Sequence, residues 1–499
     1  MIEVVSTISI FIIFSIVVFF MGKFKAGKLS LALVSMIPYA YSYMILPMLW
    51  FGMVSSKEKL FTGDFLGIKG FFAVDPFSLF YSGVTALAAN MLILHIISRF
   101  GDREIAPIVS SALFTTGAVL GTLFSHNILA IFMFWEMTLA GVVGLSLCPC
   151  GGYRKQTHEA MMKMVVMTSI SSAFLIAGIG LLIASISGPN FDLPSLNLLS
   201  VWEKIPEAKN VQLLVMSFVL IAVALLTDAG AVPFYMWLPD YVSGIVAPPV
   251  ALMLVTSDLA AYYLLGRFMT IFSHLFQTVK LTQLAIITLI ATIGIFSIVL
   301  GELSALSQGK VRRLFGYSMV SDAGYSLLLI ILYNVNGVFL FGDNAYMAMP
   351  YAYFTAASSI AIAVIMAILG SFEDIGVFRL QQLQGMHIRL PFSTILLSIS
   401  LLSMAGIPPL AGFVAKYLLI FSLVATNMPI FLVAAFIASL FFVVCAAYSF
   451  RLIKISFSPR EDVSRLEERK SDLIPLAILV LTLILAGITP TPFLWTFGR

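Results

Sequence analysis

Residues 211–250 read VQLLVMSFVLIAVALLTDAGAVPFYMWLPDYVSGIVAPPV. The run from 211 to 232 is apolar and long enough to cross the roughly 30 Å of a bilayer's hydrocarbon, yet it carries Asp228 and runs into Pro233. Proline lacks a backbone donor and clashes with the preceding turn, so the helix opens there and leaves carbonyls free at membrane depth. Such backbone is tolerated in a membrane only beside protein or a water-filled cavity. A second apolar segment, 391–426, is broken in the same way by GIPPLAG at 406–412, with Pro408 and Pro409, shortly before Lys416. Two broken helices five spans apart point to an inverted repeat with an ion path at its interface; an ordinary proline kink is the alternative for either one alone.

Working outward, composition assigns the whole chain to the bilayer. Of 499 residues 60% are hydrophobic and 10% charged, more apolar surface than a water-soluble domain can bury. The net charge of +4 comes with no concentrated basic face, which argues against a nucleic-acid partner. Apolar runs predict fourteen spans, near 2–21, 29–53, 76–98, 106–124, 126–148, 159–187, 211–232, 248–273, 282–303, 314–334, 346–370, 391–426, 428–450 and 473–490. The first reads as a span rather than a removed signal, having no basic region before it. The expected organisation is all-α: N-terminal spans (1–105), a five-helix repeat (106–273), a second inverted five-helix repeat (282–450), then a charged surface loop and last span (451–499). Loops after odd-numbered spans hold 18 Lys/Arg against 7 on the other side, which predicts a multi-pass protein with both termini outside.

The charges inside these spans are the candidate functional residues: Glu136, Lys163, Asp228, Asp258, Asp322 and Lys416. Facing lipid without partners, six such groups would cost on the order of 15 to 20 kcal/mol, so they must face one another or water. Any one could be a helix-to-helix tie. Six of mixed sign on consecutive spans suit a relay in which each group alternately holds and releases a proton. Asp75, Glu159, Arg267 and Glu302 fall nearer predicted span ends, where headgroup contact is expected.

Redox cofactors are not expected on this chain. Cys148, Cys150 and Cys445 are too few for an iron–sulfur cluster or a closed zinc site, and of the histidines at 95, 126, 158, 274 and 387 only His95 falls well within a predicted span, His126 standing at the first residue of another.

The stretch PFYMWLPDYVSGIVAPPVALM (233–253) resembles the PFHxWLPDAxxxAPxPVSALLH signature of the antiporter-like subunits shared by respiratory complex I, multi-subunit Na+/H+ antiporters and membrane-bound hydrogenase-type complexes. The likeness extends to FWEMTLAG (134–141), EAMMKMVVMTSISSAFLIAGIGLL (159–182), KVRRLFGYSMVSDAGYSLL (310–328) and GIPPLAGFVAKYLLIF (406–421), covering most of residues 70–450. It implies a fourteen-span fold with two inverted five-helix repeats, transport of H+ and/or Na+, and roles for Glu136, Lys163 and Lys416 at matching positions. It also implies partners: sister antiporter-like subunits, small membrane subunits, and in redox versions a hydrophilic arm that carries the iron–sulfur clusters.

Two positions depart from the pattern. The family's lysines of spans seven and eight are here Asp228 and Asp258, and the histidine after "ALL" is missing, the segment reading Ala251, Leu252, Met253, Leu254. A Glu136–Asp228 pair cannot open and close as a Glu–Lys ion pair does; two close carboxylates repel unless one holds a proton. Three readings follow: a proton-sharing relay, an oxygen-lined Na+ site at Asp228 and Asp258 with Thr227, Thr256 and Ser257 nearby, or a subunit that no longer pumps and serves as a spacer. A stand-alone secondary transporter is the alternative of a different class.

Overall fold

The computed structural model describes residues 2–25, 27–56, 60–65, 67–147, 155–187, 196–208, 210–273, 280–335, 349–460 and 464–490. Cys148, Cys150 and His274 lie outside the described residues.

Among the described residues the apolar helices follow the expected order. The first six are α1 (Ile2–Lys23), α2 (Lys28–Ser56), α3 (Pro76–Arg99), α4 (Asp102–Phe124), α5 (Ile128–Ser146) and α6 (Lys155–Ile186). A short helix, α7 (Leu198–Lys204), precedes the seventh span, which is broken into α8 (Val211–Asp228) and α9 (Trp237–Gly244). The eighth consists of α10 (Ala247–Met253) and α11 (Leu259–Ile271), joined by a π-helical turn at Leu254–Asp258. Then come α12 (Lys280–Ser307), α13 (Val311–Val335), α14 (Met349–Asp374), the broken twelfth span α15 (Pro391–Ala405) and α16 (Ala411–Ala425), α17 (Pro429–Phe457) and α18 (Lys470–Ile488). Among the described residues thirteen helical segments are long and apolar enough to cross singly. The two halves of the twelfth span, 15 residues each, reach about 22 Å apiece at 1.5 Å per residue, so they cross only in series.

The chain is not wholly helical. Residues 54–75, expected as a plain connection, contain an antiparallel hairpin, β1 (Phe61–Phe65) and β2 (Ile68–Val74). It caps one end of the bundle: the Phe71 carbonyl accepts from the backbone amides of His126 (2.9 Å) and Asn127 (3.2 Å), and Asn127 in turn caps α5. The loop expected from residue 451 is helical to Phe457. Beyond it Glu468 docks on the start of α15, accepting from the amides of Phe392 (2.9 Å) and Ser393 (2.8 Å).

The middle of the molecule is formed by the eighth span, buried all round, and by α13 and α14, whereas α1, α6 and α17 turn apolar side chains outward. In lipid the hydrophobic effect does not drive helices together, so close packing of small residues does. Gly301 of α12 illustrates this: a Cβ there would meet the Ser321 amide at 2.6 Å. The close approach sets Glu302 against Ser321 and Asp322 of α13, which the spacing of predicted spans did not suggest.

Candidate ion-translocation site

The two broken helices end by the same backbone device. After α8 Gly230 is left-handed (φ 67°), its amide bonds the Thr227 carbonyl at 3.2 Å and the Ala231 amide bonds the Leu226 carbonyl at 2.9 Å. After α15 Gly406 is left-handed (φ 80°), its amide bonds Ser403 at 2.9 Å and the Ile407 amide bonds Leu402 at 3.1 Å. These are glycine-terminated helix C-caps at identical offsets. Carbonyls released at the breaks find partners: Trp237 Nε1 donates to the Thr227 carbonyl at 3.0 Å, the reason a tryptophan is useful four residues after Pro233. Val232 N donates to Ser297 Oγ of α12 at 3.0 Å, and Gly412 N donates to Ser403 Oγ at 3.2 Å.

Around the first break lies a carboxylate pair. Asp228 is buried, and its Oδ2 accepts from Ser171 Oγ of α6 (2.7 Å) and Trp135 Nε1 of α5 (3.2 Å). Glu136, next to Trp135, is its electrostatic neighbour. Asp228 Oδ1 and Glu136 Oε1 are both buried with no hydrogen-bond partner. No basic side chain makes an ion pair with either acid among the described residues.

Around the second break lies a row of four groups. Asp258, at the π-helical turn, and Asp322 line one cavity of about 10 Å³ with Tyr262, Thr355 and Ser358. Asp322 and Ser358 also line a second cavity, of about 20 Å³, with Glu302, Tyr325, Ser403 and Lys416. The second has room for about one water, the first is marginal for one. Glu302 Oε1 accepts from Ser321 Oγ at 3.0 Å while its Oε2 is buried without a partner. Lys416 Nζ is likewise buried without a hydrogen bond and lies 4.4 Å from the Phe442 ring centroid. The Lys416 stem passes beside Gly406, where a Cβ would stand 2.9 Å from its Cδ.

The structure therefore brings together Asp258, Asp322 and Lys416, and separately Glu136 and Asp228. Lys163 belongs to neither set. Expected deep in its span, its side chain is 43% exposed and pairs with Glu159 and Asp240, each at 2.7 Å; Asp240 also meets Arg313 at 3.2 Å. Lys163 lies just over two turns inside α6, and its long side chain reaches polar groups on the exposed face. Glu302 is the residue sequence reasoning misplaced: α12 runs to Ser307, which puts Glu302 more than a turn inside and buried. A lone carboxylate in IVLGELSAL was the available signal. Asp75 and Arg267, also expected at headgroups, form a buried ion pair between α3 and α11. It is a structural tie: Asp75 Oδ1 caps Ser78 N at 2.8 Å, and Arg267 Nε bonds Tyr263 Oη at 2.9 Å. Asp228 and Asp258 share neither a hydrogen bond nor either cavity, so the joint Na+ site expected between them does not form in this arrangement.

A bundle of fourteen spans with two helices broken at membrane depth and buried ionisable groups beside each break defines an antiporter-like membrane subunit. Residues 125–442 match the family described as NADH:quinone oxidoreductase/Mrp antiporter, transmembrane, and the chain belongs to that family. It is 28% identical over 465 residues to NADH-quinone oxidoreductase subunit N of Polaromonas naphthalenivorans (strain CJ2), covering 89% of this chain and 88% of that protein. Its fold is similar to a chain of the membrane-bound sulfane sulfur reductase, an archaeal respiratory membrane complex (TM-score 0.82, 19% identity, 99% and 96% covered). It is also similar to a chain of the Mrp complex from Dietzia sp. DQ12-45-1b (TM-score 0.79, 18% identity, 98% and 96% covered).

Proposed function

We propose that this chain translocates protons through the row Asp258, Asp322, Glu302 and Lys416, coupled to the acid pair Glu136 and Asp228, as one membrane subunit of a larger energy-converting complex. The observation that supports this most is the run of four ionisable groups lining two small cavities that share Asp322 and Ser358. A proton passed along such a row needs only short hops between groups or through single waters. Lys416 is the cation there and Glu302 its electrostatic counterpart; a proton arriving at one end changes the balance that holds the other. Near the first break, Glu136 and Asp228 act as a unit that shares one proton, with Ser171 and Trp135 fixing the orientation of Asp228.

In this reading the two broken helices belong to two inverted five-helix units, 106–273 and 282–450. Both termini lie outside, as the basic loops require. The partners are sister antiporter-like subunits and a hydrophilic arm, with the iron–sulfur clusters there and no cofactor on this chain. Sodium in place of protons is the companion reading, since the carboxylates lining the two cavities, Asp258, Asp322 and Glu302, supply oxygen ligands. A spacer that no longer pumps is favoured by one observation, that among the described residues no lysine pairs with Glu136.

The test is ion pumping in membrane vesicles holding the whole complex, wild type against Lys416→Ala and Asp228→Asn, under varied sodium. Loss of proton pumping with the complex assembled supports an active path. A strict sodium requirement moves the reading to Na+. Unchanged pumping in both variants makes the chain a spacer.

A further inference from the structure

Four cationic side chains converge where α12 ends and α13 begins. Lys310, Arg313, Arg379 and Arg451 line a recess of about 530 Å³ together with Gln308 and Gln381, and no carboxylate lines it. The backbone holds these like charges together. Gly309 O accepts from Leu380 N at 3.1 Å and Phe378 O accepts from Val311 N at 3.2 Å, so Lys310 and Arg379 stand opposite one another in an antiparallel bridge. Like charges directly opposite are destabilising unless something neutralises them. Lys310, Arg379 and Arg451 make no ion pair with a described carboxylate. Arg313 meets Asp240, but its Nε is buried without an acceptor. The recess also receives the amino end of the 25-residue α13, whose dipole favours an anion.

Its surroundings indicate the source of that anion. Leu303 and Leu306, in the last turns of α12, are 51% and 37% exposed, and Phe450, next to Arg451 on α17, is 47% exposed. Thus a polar, cation-lined recess borders apolar flanks on two membrane-spanning helices. We propose that it binds the phosphate headgroup of an anionic phospholipid, with the acyl chains along α12 and α17. A basic pocket between spans with apolar flanks is the arrangement such a headgroup requires, and the volume suits a small ligand group. Phosphate oxygens would supply the acceptor that Arg313 Nε lacks and relieve the opposition of Lys310 and Arg379.

The experiment uses the chain in its purified assembly, in nanodiscs of phosphatidylcholine containing a trace of photoactivatable phosphatidylglycerol, with cross-links mapped by mass spectrometry. Labelling is expected on residues 303–313 and near 450. Unlabelled phosphatidylglycerol should displace the probe and inorganic phosphate should not. The Arg379→Ala/Arg451→Ala double variant should bind about thirtyfold more weakly, the effect of two lost headgroup contacts, and Arg379→Lys/Arg451→Lys should retain most of the labelling. Equal labelling by a photoactivatable phosphatidylcholine, or equal labelling of wild type and the double alanine variant, would overturn the proposal. So would displacement by inorganic phosphate, or labelling of a neighbouring subunit in place of these residues. Should the alanine variant fail to assemble, the competition on wild type decides.

Discussion

The two broken helices share one backbone and differ in charge. At both breaks a left-handed glycine closes the first half with the same pair of hydrogen bonds. Beside the first stand two acids, Glu136 and Asp228, with neutral donors from Ser171 and Trp135. Beside the second stand Glu302, Asp322 and Lys416, with Asp258 on the far side of Asp322. The break is thus set by glycine, proline and capping geometry, and the charges are installed on it independently.

The largest expected effect comes from removing the cation of the second cluster. Lys416→Ala leaves Glu302, Asp322 and Asp258 uncompensated, and a barrier change of only about 1.4 kcal/mol slows flux tenfold; proton pumping measured with a pH-sensitive dye should fall by at least that much. Asp228→Asn keeps acceptors for Ser171 and Trp135 but cannot titrate, so flux should fall by less while thermal stability in detergent changes by under about 1 kcal/mol. An Asp228→Lys variant sharpens the contrast. Placing a cation beside Glu136 should preserve assembly, and pumping above that of Asp228→Asn would mean that the position needs a titratable group of either sign.

The glycines offer a more direct comparison. Gly230→Ala and Gly406→Ala each force a side chain into the left-handed region at roughly 1–2 kcal/mol, which melting curves should show equally for both. Only Gly406→Ala crowds the Lys416 stem; at Gly230 the neighbour is the Leu238 side chain. Pumping should therefore drop for the first and hold for the second, and equal losses would break the claim that Lys416 is positioned by its cap.

Smaller effects follow from Trp237→Phe, which removes the donor to the Thr227 carbonyl and should lower stability by about 1 kcal/mol. The smallest is expected for Lys163→Ala, because its exposed side chain lies outside both clusters. Pumping within twofold of wild type is the expected outcome; a loss as large as that of Lys416→Ala would place Lys163 in the path after all.

Much of this was legible in the order of residues. A span that meets Pro233, another that meets Pro408 and Pro409, and carboxylates in otherwise apolar runs are local facts, because helix breaking and the cost of a charge in hydrocarbon depend on the residue and its depth alone. Fourteen spans and the presence of Asp228, Asp258, Asp322 and Lys416 inside them follow from that physics. Depth read from span ends was less secure. Glu302 moved into the buried row because α12 continues past the predicted boundary, and Lys163 moved out because its side chain lies on an exposed face of α6, where it pairs with Glu159 and Asp240.

The sequence by itself determined that this chain lives in a bilayer, where it is interrupted, and which residues would be costly there. Only the tertiary structure decided which of those residues meet. Gly301 lets α12 and α13 approach until Glu302 lies beside Ser321 and Asp322, and Trp135 reaches Asp228 across 93 positions of sequence. Pairing depends on which faces of two helices touch, a property of packing between distant segments that no single span encodes.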